Sequence, residues 1–191
     1  MFCATKPSRE AILAFIAAQR AGEYSYPEVG CSREQAPAGY VVDHNRIMLG
    51  HGLETFERAR AAIRKWKMFD MPWIDVCWPE TPIEAGATVA VLISHLGFWS
   101  LNACRIVYVM EDGANPVKYG FAYGTLRDHA EFGEERFTVE YHPADQSVWY
   151  DLYAISRLGY PARLAYPLTR AMQKRFARES KAAMQRSVAG G

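Results

Sequence analysis

The clearest periodic pattern in the chain lies in residues 53–69. Acidic residues occur in its first turn and basic residues near its end, as the helix dipole favours. The sequence Asp70-Met71-Pro72 then ends the pattern. The apolar positions are three or four residues apart and therefore share one face of a helix: Phe56, Ala59, Ile63, Trp66 and Phe69.

Two further segments predict helices. Residues 8–22, "SREAILAFIAAQRAG", offer Ser8 as an N-cap and Gly22 as a stop. A Pro- and Gly-rich stretch, 24–39, predicts a surface loop before a strand at 40–50. The last helix is predicted over 161–186, where the apolar stripe consists of Leu164, Leu168, Met172, Phe176 and Ala183.

The region between Trp73 and Ile155 has a different pattern, of short β-rich runs divided by turns. "EDGANP" and "HPADQ" are hairpin signals between neighbouring runs. The runs predict six antiparallel strands at 73–78, 87–96, 101–110, 117–126, 134–141 and 147–155.

This order predicts an α+β fold in which a curved antiparallel sheet surrounds a long C-terminal helix. A helix buries one apolar face against a concave sheet but cannot fill the whole curve, so we expect a cavity between them. We predict a single domain over 1–191, with residues 1–38 as an N-terminal helical extension and loop and residues 39–186 as the core.

Composition narrows the function classes. The 191 residues carry a formal net charge of +1, which favours neither a nucleic-acid nor a strongly acidic partner. The four cysteines are scattered, without metal-ligand spacing, and indicate reduced thiols in a cytoplasmic protein without a metal or other cofactor. We expect no signal peptide, and the apolar region 87–110 is interrupted by polar residues, which favours strands over a membrane span.

Several stretches resemble one family, the domain-of-unknown-function nineteen-ninety family of bacteria and plants. They are "YPEVG" (26–30), "VDHNRIMLGHG" (42–52), "FERARAAIRKW" (56–66), "GFAYGTL" (120–126), "GEERFTVE" (133–140) and "YPLTRAMQKRFARES" (166–180). The element order also resembles the helix-grip fold of START-domain and birch-pollen-allergen-type proteins. These resemblances imply a helix-grip fold and no agreed activity. A plant plastid-envelope relative proposed as a channel implies a membrane-associated or channel-like alternative.

Arg105 lies at the centre of the apolar run "ACRIVYV". We predict that its side chain points to the inner face of the sheet. Following side-chain alternation from strand to strand predicts an aromatic and bulky interior face, opposite a face of polar or small residues. A β-bulge would reverse the parity of a strand, and Gly97 and Gly120 are candidates. The predicted ligand-binding set on the interior face is Arg105, Phe121, Tyr123, Glu135, Phe137, Trp149, Asp151 and Tyr153.

We interpret this set as the lining of an internal cavity for a small hydrophobic or lipid-like molecule. A buried guanidinium must be paired, and Glu135 and Asp151 would supply partners for Arg105. The same residues are equally compatible with a structural ion-pair network. The alternative function is an enzyme of cyclase or hydrolase type that uses the polar residues of the cavity.

Other motifs for catalysis are weak. Asp43 and His44 are adjacent on a strand and point to opposite faces, so they do not form a dyad. "GxSxG" is absent, and no cysteine has an activating neighbour in sequence, so no catalytic residues are assigned. His95 and His129 fall near strand ends and are expected to be solvated.

The C-terminal helix is strongly basic, with seven Lys or Arg residues between Arg163 and Arg186 against one acid, Glu179. Such a helix can dock on an anionic membrane. More often the basic residues form a solvated face while the apolar stripe covers the core, and we favour that interpretation.

Overall fold

A computed structural model describes residues 1–34, 36–95, 97–127, 129, 131–158 and 166–189. The helices are α1 (Arg9–Gln19), α2 (Leu53–Arg64) and α3 (Tyr166–Ala189), with short 3₁₀ turns at Cys31–Arg33 and Lys67–Phe69. The strands are β1 (Phe2–Cys3), β2 (Val41–His51), β3 (Ile74–Cys77), β4 (Thr88–Ser94), β5 (Trp99–Asp112), β6 (Val117–Thr125), β7 (Glu131–His142) and β8 (Ser147–Leu158).

The strands of the described chain form one antiparallel sheet in the order β2-β8-β7-β6-β5-β4-β3, and β1 pairs with β5. Consecutive strands from β3 to β8 are neighbours, as hairpin connections require, and β8 then pairs with β2. The predicted strand at 40–50 therefore lies at the edge, beside the last strand of the chain.

The two faces of the sheet carry different layers. The concave face packs against α2, the turn at 67–69 and α3, and this interface holds the main hydrophobic core. The convex face of β3–β5 carries a smaller core under α1, which includes Ile12, Ile16 and Leu101. A curved antiparallel sheet that grips a C-terminal helix is the helix-grip fold, so the predicted fold class is confirmed.

The apolar face predicted for residues 53–69 is confirmed, because all five of its residues are buried. The helix itself is shorter than predicted and ends at Arg64. Trp66 adopts a left-handed backbone conformation, with φ of 55°, which the α-helix cannot continue through. The chain then turns so that Trp66 and Phe69 pack together, with ring centroids 6.0 Å apart.

The C-terminal helix covers the sheet as expected, but its buried stripe is displaced toward its end. The buried residues are Ala177, Ser180, Ala183, Met184 and Val188. Met172 and Phe176 are only half-buried, and Leu168 is 62% exposed, so its predicted place in the core is wrong. Leu164 and Arg163 lie outside the described residues. Contact with the sheet is therefore tight along the second half of α3 and loose along the first.

Candidate ligand-binding cavity

A cavity of about 620 Å³ lies between the concave face of the sheet and the first half of α3. Side chains of α2 and the second half of α3 fill the core at the other end of the sheet. The first half of α3 brings Met172, Phe176 and Ala177 over the opening without filling it. The volume lies within the range of small-molecule sites in proteins.

Most of the cavity surface is apolar. Phe69 and Phe176 both line it and pack against each other, with ring centroids 5.3 Å apart. Phe2 and Phe98 are exposed aromatic residues at its rim, where Phe98 stacks on His95 at 4.5 Å. The remaining large apolar side chains of the lining include Trp73, Ile74, Val91, Ile93, Leu152 and Met172. Such a surface favours an apolar occupant over water.

A polar wall interrupts this surface where β6 and β7 face α3. We use the term polar wall for Tyr123, His129, Glu131, Glu135 and Gln173, all of which line the cavity. Tyr123 and Glu135 are cross-strand partners on β6 and β7, and the Tyr123 hydroxyl donates to Glu135 Oε2 at 2.7 Å. Glu131 Oε2 accepts a hydrogen bond of 2.8 Å from Gln173 Nε2, which links the wall to α3.

The carboxyl of Glu135 is in an unusual electrostatic state. Removal from bulk water raises its pKa to about 8, against the opposing effect of the Tyr123 hydrogen bond. The nearby carboxylates of Glu131 and Asp43 contribute to this rise in the pKa. The side chain is half-buried because it borders the cavity and not because it reaches the outer surface. Glu135 is therefore largely protonated at neutral pH and can donate a proton into the cavity.

His129 is shifted in the opposite direction. Burial lowers the pKa of its imidazole to about 4, so the ring is neutral at physiological pH. The backbone amide of Glu131 donates to His129 Nδ1 at 3.0 Å, which assigns the ring proton to Nε2. The expectation that His129 is solvated is wrong, since it borders the cavity. The polar wall thus combines a protonated acid with a neutral imidazole.

Metal and thiol chemistry have little support at this cavity. Within the described ranges, no three histidine, cysteine or carboxylate side chains converge as a metal site requires. Cys104 lines the cavity, but burial raises the pKa of its thiol far above neutrality. A protonated thiol is a poor nucleophile.

The structure divides the eight predicted ligand-binding residues into three groups. Tyr123 and Glu135 line the cavity. Phe121 and Phe137 face the same side and are fully buried in the main core, where their rings are 5.4 Å apart. The other four lie on the convex face: Arg105, Trp149, Asp151 and Tyr153.

The placement of Arg105 inside the cavity is wrong because β5 contains a bulge between Ile106 and Tyr108. Before the bulge, Cys104 and Ile106 face the concave side and Arg105 points away. Its Nη2 donates to the carbonyls of Gln19 (2.9 Å) and Arg20 (3.0 Å) at the end of α1. Arg105 therefore caps the C-terminus of α1, where a cation is favourable.

The placement of the three β8 residues is wrong for a different reason. Phe137 is paired with Leu152 and Val139 with Tyr150, so the even-numbered residues of β8 share the concave face. The sequence pattern favours the odd-numbered set, Trp149, Asp151 and Tyr153, for the interior. Instead Tyr150 is fully buried on the concave side, where its hydroxyl and that of Ser180 on α3 are joined by a 2.8 Å hydrogen bond.

Asp151 and Tyr153 belong instead to a polar cluster on the convex face. Asp151 binds Arg136 at 3.2 Å and His44 Nε2 at 2.5 Å. Arg136 lies over the ring of Tyr153, and Arg46 lies over the ring of Trp149. As expected, Asp43 and His44 do not pair with each other, since Asp43 binds Arg170 of α3 on the concave side.

The convex face also holds the N-terminal loop in place. Glu134, which is 3% exposed, accepts hydrogen bonds from Tyr26, the Gly30 amide and Ser32. A side chain at Gly124 would meet the Tyr26 hydroxyl at 2.1 Å, so this position needs glycine. The stretches "YPEVG", "GFAYGTL" and "GEERFTVE" therefore meet on the convex face. Their residues at this point hold the N-terminal loop against the sheet.

Sequence reasoning missed His129, Glu131 and Gln173. The strand β7 was predicted to begin at residue 134, whereas it begins at Glu131. Glu131 is four residues from Glu135 and shares its face, so a longer strand would have included it. Gln173 is three residues before Phe176 and therefore lies on the same side of α3.

The fold and cavity define the class of this protein as a helix-grip protein. Its structure is similar to that of Ara h 8.0201, with a TM-score of 0.50, 12% identity and coverage of 80% of this chain and 100% of that chain. It is likewise similar to protein Ms6760 from Mycobacterium smegmatis, with a TM-score of 0.50, 10% identity and coverage of 82% and 96%. At these identities the likeness concerns the fold alone.

Residues 25–183 match the model of the family described as "Domain of unknown function (DUF1990)", and the chain belongs to this family. A UPF0548 protein of Dictyostelium discoideum is 36% identical over 98% of this chain and 96% of its own length. A UPF0548 protein of Deinococcus radiodurans is 38% identical over 93% and 94%. UPF0548 protein At2g17695 of Arabidopsis thaliana is 32% identical over 78% and 74%.

A membrane role was one alternative. Among the helices of the described residues, none has the length and apolar character needed to cross a membrane.

Proposed function

We propose that this protein binds a small, largely apolar molecule in the cavity between the sheet and α3, with a polar group of that molecule against the polar wall. The observation that supports the proposal is a 620 Å³ cavity with aromatic and aliphatic surfaces and one polar wall. Apolar area would contribute affinity, and a few directed polar groups would orient the ligand.

The packing of α3 supports the same proposal. Asp43 on β2 forms a bidentate ion pair with Arg170, and Glu131 on β7 accepts a hydrogen bond from Gln173. These contacts hold the first half of α3 at the sheet through polar groups, although its apolar contacts are incomplete. A scaffold that keeps an apolar space open in this way suits a guest molecule.

Filling the cavity tests this proposal. Ala154 is a half-buried cavity residue on β8, and Ala154→Phe places a ring in the open space. We expect this variant to keep its thermal stability while its affinity for the neutral dye Nile red falls roughly tenfold or more. Ala90→Phe is the matched control, because Ala90 is fully buried in the packed core under α1 and has no space beside it.

The Ala90→Phe variant should lose stability, by about 1–3 kcal/mol, as overpacked cores do. If Ala154→Phe is destabilised as much as Ala90→Phe, the space at Ala154 is not available to a guest. If Nile red binds Ala154→Phe and the wild type equally, the dye does not enter the cavity. Either result contradicts the proposal.

A second candidate function is acid–base catalysis on the bound molecule. It is favoured by one observation, the pKa of about 8 for Glu135 beside a substrate-sized cavity. A carboxyl with this pKa can exchange a proton with a substrate near neutral pH, and Tyr123 would keep it oriented. Incubation of host metabolite extracts with wild type and with Glu135→Gln tests this. A compound consumed by wild type alone supports catalysis, and identical extracts contradict it.

Peripheral membrane contact has weaker support. Several basic residues of α3 bind other parts of the protein: Arg170 binds Asp43, Lys181 binds Asn45 and Arg186 binds the Asp70 carbonyl. Lys174, Arg175 and Arg178 are exposed, and Arg175 and Arg178 also bind Glu179 of the same helix. Absence of co-sedimentation with anionic vesicles at low salt would remove this role.

A further inference from the structure

The carboxyl groups of the cavity are paired differently from the other buried carboxylates of the protein. On the convex face, buried acids meet cations or several N–H and O–H donors. Glu134 accepts from a tyrosine, two backbone amides and a serine. The ion pairs are Asp151 with Arg136, and Glu140 with Lys118 and Arg46; His44 Nε2 also hydrogen-bonds Asp151.

In the cavity, by contrast, Glu135 has a tyrosine donor and Glu131 an amide donor, both neutral. In the part of the chain that the structure describes, no Lys or Arg nitrogen lies within ion-pair distance of either carboxyl. His129, the nearest basic side chain of the wall, is neutral. Among the described residues, the nearby cations are already paired elsewhere: Arg170 lowers the pKa of Glu131 but binds Asp43, and Arg127 at the cavity lining binds Glu23. The negative charge that this wall can develop therefore has no direct ion-pair partner among the described residues.

The surroundings of these carboxyls suit an organic cation. The aromatic rings of Phe69, Phe176 and Tyr123 line the same cavity, and Phe69 stacks on Tyr123 at 6.2 Å. Aromatic faces attract ammonium groups, most strongly where water is displaced. A hydrated metal ion would instead need several converging oxygen ligands, which this apolar surface lacks.

We propose that the ligand of this cavity is an amphipathic amine, whose ammonium group binds between Glu135 and Glu131 and whose apolar body lies along Phe69, Phe176 and Leu152. This inference rests on the proposed function and narrows its ligand class. Binding converts Glu135 from its protonated to its ionised form, because a neighbouring cation stabilises the carboxylate. Up to one proton is then released from Glu135 for each amine bound at neutral pH.

Binding of an amine should therefore become tighter as the pH rises from 6 to 8. The groups around Glu135 are Asp43 on β2, Cys104 on β5, Tyr123 on β6 and Glu131 on β7. Asp43 is held by Arg170 of α3, and burial keeps Cys104 and Tyr123 protonated through this range. Glu131 has a raised pKa and follows the same direction as Glu135.

The experiment compares three probes with the same chain length and different head groups: n-octylamine, n-octanol and octanoate. Displacement of Nile red gives their affinities for wild type, Glu135→Gln, Glu131→Gln and the control Glu80→Gln, an exposed acid outside the cavity. We expect octylamine to bind wild type roughly tenfold more tightly than octanol, and octanoate to bind least.

Glu135→Gln should abolish the preference for octylamine and leave octanol affinity within about twofold, and Glu80→Gln should change neither. If the wild type binds octanol as tightly as octylamine, the amine inference is overturned while the proposed function stays intact. A preference for octylamine that survives in both cavity variants has the same consequence. If neither Nile red nor any of the three probes binds, the proposed function fails with it. The pH series on wild type provides the same test without a substitution.

Discussion

Tyr123 and Glu135 are cross-strand partners whose hydroxyl and carboxyl groups are joined by a 2.7 Å hydrogen bond at the wall of the cavity. The pair places an acid with a pKa of about 8 where an apolar guest would have its polar group. The neighbouring Glu134 points to the opposite face and has several donors. The carboxyls of Glu134 and Glu135 are therefore adjacent on β7 but lie in opposite environments, one saturated with donors and one beside the cavity.

Glu135→Gln should stabilise the protein at pH 8. The native state keeps Glu135 protonated up to about pH 8, whereas the unfolded chain loses this proton near its ordinary pKa of 4.5. The native state thus binds more protons between these values, and its stability falls as the pH rises through them. Because glutamine does not ionise, we expect a gain of about 1–3 kcal/mol at pH 8, and less at pH 5.

Urea unfolding of both proteins at pH 5 and pH 8 measures this difference. An equal effect of Glu135→Gln at the two pH values would show that Glu135 titrates normally.

Glu134→Gln should destabilise the protein by about 2–4 kcal/mol. The buried carboxylate accepts several hydrogen bonds, and glutamine replaces one of its acceptor oxygens with an NH₂ group that donates. The loss should concentrate in the N-terminal loop. Hydrogen exchange of the Gly30 and Ser32 amides, which donate to Glu134, reports it directly. Unchanged protection of both amides would contradict the role of Glu134 in holding this loop.

Tyr123→Phe should raise the pKa of Glu135 further above 8. The Tyr123 hydroxyl donates to this carboxyl and thereby favours its ionised form, so loss of the donor favours the protonated form. A ¹³C NMR titration of the Glu135 carboxyl measures the shift. Tyr119→Phe is the matched control, because Tyr119 lies on the same face of β6 but its hydroxyl binds Arg64. A fall in the pKa, or equal shifts in both variants, would count against the pair.

Arg105→Leu should loosen the end of α1 without affecting the cavity. The substitution removes the donor to the carbonyls of Gln19 and Arg20 and costs about 1–2 kcal/mol. Nile red affinity should remain at the wild-type value. A strong loss of dye binding in a folded Arg105→Leu protein would restore the original hypothesis that Arg105 contacts the ligand.

The sequence predicts the fold well because its information is periodic. The helical stripe of residues 53–69 and the alternation along β6 and β7 place their apolar residues correctly, since burial of one face decides both patterns. The stretches that resemble the family imply the same fold, and residues 25–183 match the model of that family.

The cavity residues are harder to predict because they depend on the parity of each strand. A bulge between Ile106 and Tyr108 reverses β5 without any glycine to mark it, and neither Gly97 nor Gly120 is its position. On β8 both faces are rich in large residues, so alternation does not distinguish Tyr150 from Trp149. Cation–ring contacts on the convex face, such as Arg46 over Trp149, explain why aromatic residues lie there.

Native mass spectrometry of the protein purified from its own host tests the central claim most directly. We predict a non-covalent adduct of small-molecule mass on the wild type, absent from Ala154→Phe. Protein that carries no adduct, together with equal Nile red affinity in wild type and Ala154→Phe, would contradict a guest in this cavity.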